Sequence, residues 1–285
     1  MNYCYLNGRY VPKIKTKISV EDRGFNFSDS IYELIKFRNY TLYNYSKHLI
    51  RLSKSLEEVS IANPFKNLNS LFLIIKYLIR INKYNSGYIY IQISRGEAAR
   101  NHLFPTNIEP NVVILLYPLR RDMDVSKGVA VKTGADIRWK KCNIKSTSLL
   151  ANVLGKQFAK ENGVYEIWQL NEKYEVTEGT TSNSFIVCNE NIIYTHPKNE
   201  YILGGVTRDT VIEIAKVNGL KISETPFNLK HIEKCKEAFL TSTTVGVLPV
   251  TIINKRLVSD GDIGGITKHL MSLYNNHLTQ QLNQI

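Results

Sequence analysis

The chain has 285 residues, which is enough for one large domain or two modest ones. Apolar residues make up 43% of it and charged residues 22%, so a packed core is expected throughout and extensive disorder is excluded. The formal net charge is +12 at pH 7, but the basic residues are dispersed and accompany no zinc-finger, helix-turn-helix or RNA-recognition signature. We therefore interpret the charge as a solvated basic surface and expect no nucleic-acid partner.

The cysteines and the apolar runs predict the compartment. The cysteines lie far apart, with no CxxC pair and no histidine at zinc-ligand spacing, which favours reduced thiols and argues against a metal site. They are Cys4, Cys142, Cys188 and Cys235. No run of about 18 apolar residues occurs, and the sequence becomes polar immediately after Met1, so neither a membrane span nor a signal peptide is expected. We predict a cytoplasmic protein.

The first part of the chain mixes strand and helix patterns. Asn7-Gly8 tolerates the positive φ angles of a tight hairpin turn, so the chain is predicted to open with a β-hairpin. Apolar residues recur at helical spacing after Ser46, which we predict as a helix N-cap. A polar loop over 94–110 is long for a compact domain, and this indicates a functional role. Strands are predicted over 3–6, 9–11, 31–37, 88–93 and 112–116, with a further helix over 68–81.

A charged segment over 119–125 separates this set of elements from the next, and we place the domain boundary there. The prediction is an N-terminal domain over 1–118, a linker over 119–125 and a C-terminal domain over 126–285. Strands are expected in the C-terminal domain over 129–132, 166–169, 184–187, 192–195 and 239–241, with helices over 149–161 and 208–218. Because strands and helices do not alternate strictly and no GxGxxG follows a strand, the pattern favours an α+β or pseudo-barrel domain over a doubly wound sheet.

Two short segments are candidates for binding a phosphate. Gly204-Gly205-Val206-Thr207 precedes a predicted helix, whose N-terminus offers unpaired N–H groups and the positive end of a dipole. Thr241-Ser242-Thr243-Thr244 follows a predicted strand and offers hydroxyl groups. The first segment is equally typical of a turn with a threonine cap, and the second of an ordinary loop. Lys145, Arg100 and His102 are, each by itself, compatible with solvated surface positions.

A set of fragments, taken in order along the chain, removes much of this ambiguity. They are Glu21-Asp22-Arg23-Gly24, Tyr32-Glu33, His48-Leu49-Ile50-Arg51-Leu52, Arg100-Asn101-His102, Asp136-Ile137-Arg138-Trp139, Ile144-Lys145-Ser146, Thr177-Glu178-Gly179, Ser182-Asn183, Gly205-Val206-Thr207-Arg208 and Thr241-Ser242-Thr243-Thr244. Nearly end to end, the chain resembles the fold-type IV (class IV) pyridoxal-phosphate-dependent aminotransferases, particularly the bacterial D-amino acid aminotransferases. The resemblance implies a two-domain α+β fold, with a small N-terminal α/β sandwich domain and a larger C-terminal pseudo-barrel that binds the cofactor.

The resemblance also implies residue roles. Lys145 would carry pyridoxal 5'-phosphate as a Schiff base and move the proton at the substrate α-carbon, and Glu178 would face the pyridine nitrogen. The remaining cofactor contacts, most of them to the phosphate, would come from Arg51, Leu203, Val206, Thr207, Ser242 and Thr243.

For the substrate, the resemblance implies a carboxylate trap made of Tyr32, Arg100 and His102, with Thr244 nearby. Arg100 and His102 would come from the partner subunit of a homodimer. The reaction implied is transfer of the amino group from D-alanine or another D-amino acid to a 2-oxo acid such as 2-oxoglutarate. Alternatives are a branched-chain L-amino acid aminotransferase or an aminodeoxychorismate lyase, both of which usually lack the Arg-x-His pair. A basic binding protein without enzymatic activity is the remote alternative. Val245-Gly246-Val247 departs from the pattern and leaves the side-chain preference open.

Overall fold

The computed structural model describes residues 2–65, 67–119 and 126–283. Contacts within this part of the chain divide it into two compact units. The first unit contains the described residues before 120 together with Ile144–Ser148, and the second contains residues 126–143 and Leu149–Asn283. Residues 120–125 of the predicted linker lie outside the described residues, so the bounds of the two domains stay a prediction. None of the helices in the described ranges combines the length and the apolar character needed to cross a membrane.

The first unit is built on an antiparallel sheet. Within its described residues the strands are β1 (Tyr3–Leu6), β2 (Arg9–Pro12), β3 (Ser30–Arg38), β4 (Thr41–Leu42), β5 (Ser86–Ser94) and β6 (Asn111–Pro118). They lie in the order β2-β1-β6-β5-β3-β4, and every neighbouring pair is antiparallel. Asn7 and Gly8 have φ angles of 45° and 88°, so the predicted hairpin turn is confirmed.

Helices in the first unit supply the apolar side chains of its core. They are α1 (Arg23–Phe27), α2 (Tyr45–Glu58) and α3 (Leu68–Asn82), with a short 3-10 turn at Lys13–Lys15. The spacing of apolar residues in α2 buries Leu49, Leu52 and Leu56 against the sheet, as that pattern predicts. The prediction of Ser46 as the N-cap is wrong, because the helix already begins at Tyr45. Asn44 is the cap residue, and its left-handed backbone, with φ of 51°, turns the chain into the helix.

The second unit contains a mixed sheet. Its strands within the described residues are β7 (Val129–Ala135), β8 (Glu166–Leu170), β9 (Val176–Gly179), β10 (Asn183–Val187), β11 (Ile193–Thr195), β12 (Ile222–Ser223), β13 (Glu237–Ser242), β14 (Gly246–Ile253) and β15 (Arg256–Leu257). The order is β12-β11-β10-β13-β14-β7-β8-β9, with β15 paired to β14. β7 runs parallel to both β14 and β8, whereas β10, β13 and β14 are antiparallel neighbours. This arrangement confirms the predicted α+β class over a doubly wound sheet.

The helices of the second unit are α4 (Leu150–Glu161), α5 (Val206–Val217), α6 (Leu229–Lys234) and α7 (Gly265–Leu282). α5 begins two residues earlier than predicted, directly after Gly205, so Val206 and Thr207 lie in its first turn. Sequence patterns did not predict β9, β14, α6 or α7.

Helix α7 depends on a residue far away in the sequence. Its N-cap, Gly264, has no side chain with which to bind the first N–H groups of the helix. The carboxylate of Glu237 on β13 takes this role, because it accepts hydrogen bonds from the backbone N–H groups of Ile266 at 3.0 Å and Thr267 at 2.7 Å. The hydroxyl of Thr267 donates a third bond at 2.8 Å. A buried carboxylate from the sheet therefore caps the helix and satisfies its charge at the positive end of the dipole.

We predict that Glu237→Ala lowers the free energy of unfolding by about 1–3 kcal/mol, because buried N–H donors lose their acceptor. Glu237→Gln should lie between the two, since its amide oxygen still accepts a hydrogen bond but carries no charge. The matched control is Glu233→Ala, because Glu233 on α6 is 59% exposed and forms its ion pair with an exposed arginine. Urea unfolding measures all three, and equal losses for Glu237→Ala and Glu233→Ala would contradict the cap.

Candidate functional site

Lys145 is anchored in the first unit by its backbone. The segment Ile144–Ser148 lies beside the start of β3, where the Tyr32 N–H donates to the Lys145 carbonyl at 2.9 Å and the Thr147 N–H donates to the Ser30 carbonyl at 3.0 Å. Ile144 packs into the hydrophobic core of the unit. These contacts hold the backbone of Lys145 in a defined position.

The side chain of Lys145 lies over an aromatic ring. Its Nζ is 4.2 Å from the centroid of the Tyr32 ring, and that ring stacks on Tyr90 at 5.6 Å. The lysine is half-buried, so the amine is only partly hydrated. The structure thus brings together the predicted cofactor lysine and one predicted substrate residue.

A buried carboxylate on β3 binds Arg51. Glu33 has no exposed surface, and its Oε2 accepts from Arg51 Nε at 2.9 Å while its Oε1 accepts from Arg51 Nη2 at 2.6 Å. His48 Nδ1 lies 3.0 Å from the same Oε1. Burial alone would raise the pKa of Glu33, but the charges of Arg51 and His48 outweigh it and hold that pKa well below its usual range. Arg51, predicted to bind phosphate, is therefore fixed in place by Glu33.

Sequence reasoning gave Glu33 no role of its own. The signal was present in the alternation of β3, where Glu33 shares the buried face with Ile31, Ile35 and Phe37. A charged residue in an apolar series is buried only when it is paired. Its partners could not be identified from the strand, because they come from the helix that follows.

Glu178, in the second unit, is also buried and hydrogen-bonded on several sides. Its carboxylate accepts from the Leu203 backbone N–H at 3.1 Å and from Asn183 Nδ2 at 2.9 Å, and it forms an ion pair with Arg138. Burial raises the pKa of Glu178 to about 7, and the Arg138 guanidinium and the Leu203 N–H oppose that rise. Leu203, predicted to contact the cofactor, thus contributes its N–H to holding Glu178.

Arg138 is in turn held by Asp136. The guanidinium donates from Nε to Asp136 Oδ1 at 2.9 Å and from Nη2 to Oδ2 at 2.6 Å, which is a bidentate arrangement. Burial would raise the pKa of Asp136, but the hydrogen bonds and charge of Arg138 lower it below its ordinary value. Asp136 and Arg138 carried the resemblance but received no predicted role. The structure makes them the support of Glu178.

The two candidate phosphate segments occupy the places that the sequence indicated, both in the second unit. Val206 and Thr207 are buried in the first turn of α5, whose first N–H groups have no partner within the helix. A Cβ at Gly205 would overlap Asn183 Oδ1, so this position requires glycine. The second segment leaves β13 at Ser242, whose hydroxyl oxygen lies 2.9 Å from that of Thr244.

Arg100 and His102 lie on the exposed loop of the first unit. The guanidinium carbon of Arg100 is 4.8 Å from the centroid of the Phe27 ring, and the His102 ring is 5.3 Å from it. Within the described residues the structure groups Arg100 with His102 and Lys145 with Tyr32, and it gives no contact that joins the two pairs.

Comparison with known proteins identifies the class to which this chain belongs. Residues 30–253 match the amino-transferase class IV family. The chain is a class IV aminotransferase, and therefore a transferase enzyme, and the predicted resemblance is confirmed.

The individual relatives agree with this assignment. A D-alanine aminotransferase of Bacillus licheniformis is 35% identical over 276 residues, which is 96% of each chain. The D-alanine aminotransferase of Staphylococcus aureus (strain COL) is 36% identical over 281 residues, 98% of each chain. Among solved structures, a branched-chain amino acid aminotransferase with pyridoxamine 5'-phosphate, from the organism abbreviated T.th., has a TM-score of 0.91 at 25% identity, covering 98% of this chain and 95% of its own. The branched-chain enzyme of Escherichia coli shares the fold with a TM-score of 0.87 at 21% identity, covering 95% of this chain and 92% of its own.

We predict that Glu33→Gln lowers the free energy of unfolding by about 3–5 kcal/mol at pH 7, because the charge of Arg51 stays buried without its counter-charge. The folded pKa of Glu33 lies below its ordinary value of 4.5, so its stabilising contribution is present above that pH and is lost as the pH falls toward the folded pKa. The difference between parent and variant should therefore shrink in acid. Glu57→Gln is the matched control, since Glu57 is exposed on α2. Urea unfolding at several pH values measures the effect, and a pH-independent difference would contradict it.

Proposed function

We propose that this enzyme is a pyridoxal-phosphate-dependent D-amino acid transaminase. It moves the amino group of D-alanine or another D-amino acid to a 2-oxo acid such as 2-oxoglutarate. The observation that carries this proposal is the pairing of Arg100 and His102 on one aromatic ring, because two adjacent hydrogen-bond donors are suited to a substrate carboxylate. The D-alanine aminotransferase relatives, which are similar along almost the whole chain, support the same substrate class.

The donor groups of this chain fit pyridoxal 5'-phosphate. The first turn of α5, with Val206 and Thr207, is a helix N-terminus suited to a phosphate dianion. Hydroxyl groups of Ser242, Thr243 and Thr244 follow β13. Arg51 would add a guanidinium, and a solved relative carries pyridoxamine 5'-phosphate. When bound, the cofactor would supply a ring that accepts electrons from the substrate α-carbon.

Glu178 is suited to face the ring nitrogen. Its carboxylate is held by Arg138, Asn183 and the Leu203 N–H, so it need not reorganise when a partner binds. Because burial places its pKa at about 7, a cationic N–H beside it would shift the equilibrium toward the carboxylate. The surrounding hydrogen bonds thus prepare a fixed negative charge.

Lys145 would both hold the cofactor and move the proton at the substrate α-carbon. Its half-buried position over the Tyr32 ring limits hydration of the amine, while the anchored backbone restricts where Nζ can reach. Tyr32 and Thr244 would contact the substrate. Restricting the reach of Nζ matters because proton transfer needs donor and acceptor within hydrogen-bonding distance.

We also propose that the enzyme is a homodimer in which Arg100 and His102 act on the substrate of the partner. Their loop carries apolar side chains that are largely exposed in the single chain, with Leu103 at 76% and Phe104 at 59%, and Phe25 at 76% lies on the adjacent helix α1. Exposed large apolar groups beside functional side chains are typical of a surface covered by another subunit. A cytoplasmic location belongs to the same proposal and is supported by four cysteines that are all free thiols.

The substrate proposal predicts that D-alanine reacts with 2-oxoglutarate faster than L-leucine does. Lys145→Ala should reduce transamination by on the order of a thousandfold, because no other group moves the proton. Lys141→Ala is the matched control, since Lys141 is exposed on the same segment of chain. In the parent, borohydride should abolish the visible absorbance band and leave the cofactor covalently attached, and in Lys145→Ala it should leave nothing attached. Preference for L-leucine would favour the branched-chain alternative, and pyruvate release from aminodeoxychorismate would favour the lyase.

The homodimer proposal predicts complementation between two inactive chains. In a dimer of one Lys145→Ala chain and one Arg100→Ala chain, one site receives an intact Lys145 from one chain and an intact Arg100 from the other. A random mixture of the refolded chains should regain about a quarter of the parent activity, because about half of the dimers are mixed and each has one intact site. Sedimentation equilibrium should give the mass of a dimer. If the mixture is no more active than Arg100→Ala alone, Arg100 serves its own chain.

A further inference from the structure

One aromatic ring contacts three cationic or ionisable side chains of the first unit. The Phe27 ring, at the end of α1, lies 4.8 Å from the guanidinium carbon of Arg100 and 4.8 Å from that of Arg23. The His102 ring lies 5.3 Å away, inclined by 53°. Phe27 is half-buried, whereas Arg100 and His102 are exposed. The ring is therefore the firm surface against which two exposed side chains rest.

The backbone between Arg100 and His102 is tied to the same helix. Arg23 Nη1 donates to the carbonyl of Asn101 at 2.6 Å, and Arg23 is itself held by Asp29 through Nε at 2.8 Å. Arg95, at the start of the loop, binds the same carboxylate with Nε at 2.8 Å and Nη2 at 2.9 Å. Arg23 and Arg95 are buried, so these bonds are shielded from solvent. Asp29 thus connects the start of the loop to the residue that holds its middle.

The helix that carries Phe27 is also fixed. Asp22 caps α1 by accepting from the Phe25 N–H at 3.1 Å, and its other oxygen accepts from Ser94 at 2.5 Å and Asn111 at 2.8 Å. Asp22 is 4% exposed. Helix α1 is too short to be stable by its own hydrogen bonds, so these contacts to the sheet determine where the ring lies.

We propose that Phe27 is a positioning residue that holds Arg100 and His102 at the separation needed to bind one carboxylate. This inference rests on the proposed function, in which that pair recognises the substrate carboxylate. An exposed arginine and an exposed histidine sample many rotamers, and ordering them on binding weakens affinity. The face of an aromatic ring attracts a guanidinium and limits its rotamers before substrate arrives. Phe27 therefore acts through the pair and needs no contact with the substrate.

The test is Phe27→Leu, which keeps an apolar side chain but removes the aromatic face. The KM for D-alanine should rise about three- to tenfold, as expected when ordered polar side chains become mobile, while kcat changes less than about twofold. Phe27→Tyr should restore the parent KM because it restores the ring. Phe25→Leu is the matched control: Phe25 lies on the same helix and is 76% exposed. A KM for Phe27→Leu equal to that of Phe25→Leu would overturn the inference.

A double-mutant cycle separates positioning from a general structural effect. In an Arg100→Ala, His102→Ala background the Phe27→Leu change should have no further effect on KM, because the groups it positions are absent. If the same fold-increase appears in that background, Phe27 acts on the fold and not through the pair. Thermal unfolding of each variant shows whether it is folded, and Phe27→Met provides a second variant if the leucine form is unstable.

The same measurements distinguish failure of this inference from failure of the proposed function. If Arg100→Ala leaves the kinetics with D-alanine unchanged, the pair does not bind the substrate carboxylate, and both proposals fail. If Arg100→Ala raises KM strongly and Phe27→Leu does not, the carboxylate role stands and only the role of Phe27 is wrong.

Discussion

A carboxylate removed from water is stable only when cations or N–H donors replace the lost hydration, and the described residues meet this constraint repeatedly. Glu33 is met by Arg51 and His48, and Glu178 by Arg138, Asn183 and a backbone N–H. Glu237 is met by the first N–H groups of α7. In each case a strand carries the carboxylate and a different element brings donors to it. These buried groups therefore connect separate elements of the fold.

The same constraint separates fixed charges from adjustable ones. Arg51 and Arg138 are each bonded to carboxylate oxygens at more than one nitrogen, which fixes both distance and orientation. Lys145 lies over the Tyr32 ring, an attraction that is weaker and less directional. A residue that must hold a cofactor and then move a proton needs freedom at its amine, whereas residues that hold charges in place need the opposite. The division between ion-paired arginines and a lysine on an aromatic face is consistent with those two tasks.

The loop of the first unit combines both properties. Its beginning is fixed by Arg95 on Asp29, and its exposed end presents Arg100 and His102 on the face of Phe27. An anchored base with polar tips is typical of loops that bind ligands on a rigid scaffold. The exposed apolar side chains beside the pair, Leu103 and Phe104, are what the proposed subunit contact would cover.

Sequence alone determined the family, the α+β class and most of the strands and helices. The ordered fragments were specific as a set, the Asn7-Gly8 turn required positive φ angles, and the apolar spacing of α2 agreed with its buried face. Those signals are local, because turn chemistry and periodicity depend on neighbouring residues. Only the tertiary structure showed that Glu33 binds Arg51, that Ile144–Ser148 belongs with the first unit, and that Glu237 caps α7. Each depends on groups distant in sequence, whose meeting is decided by which surfaces pack together and which buried charges must be paired.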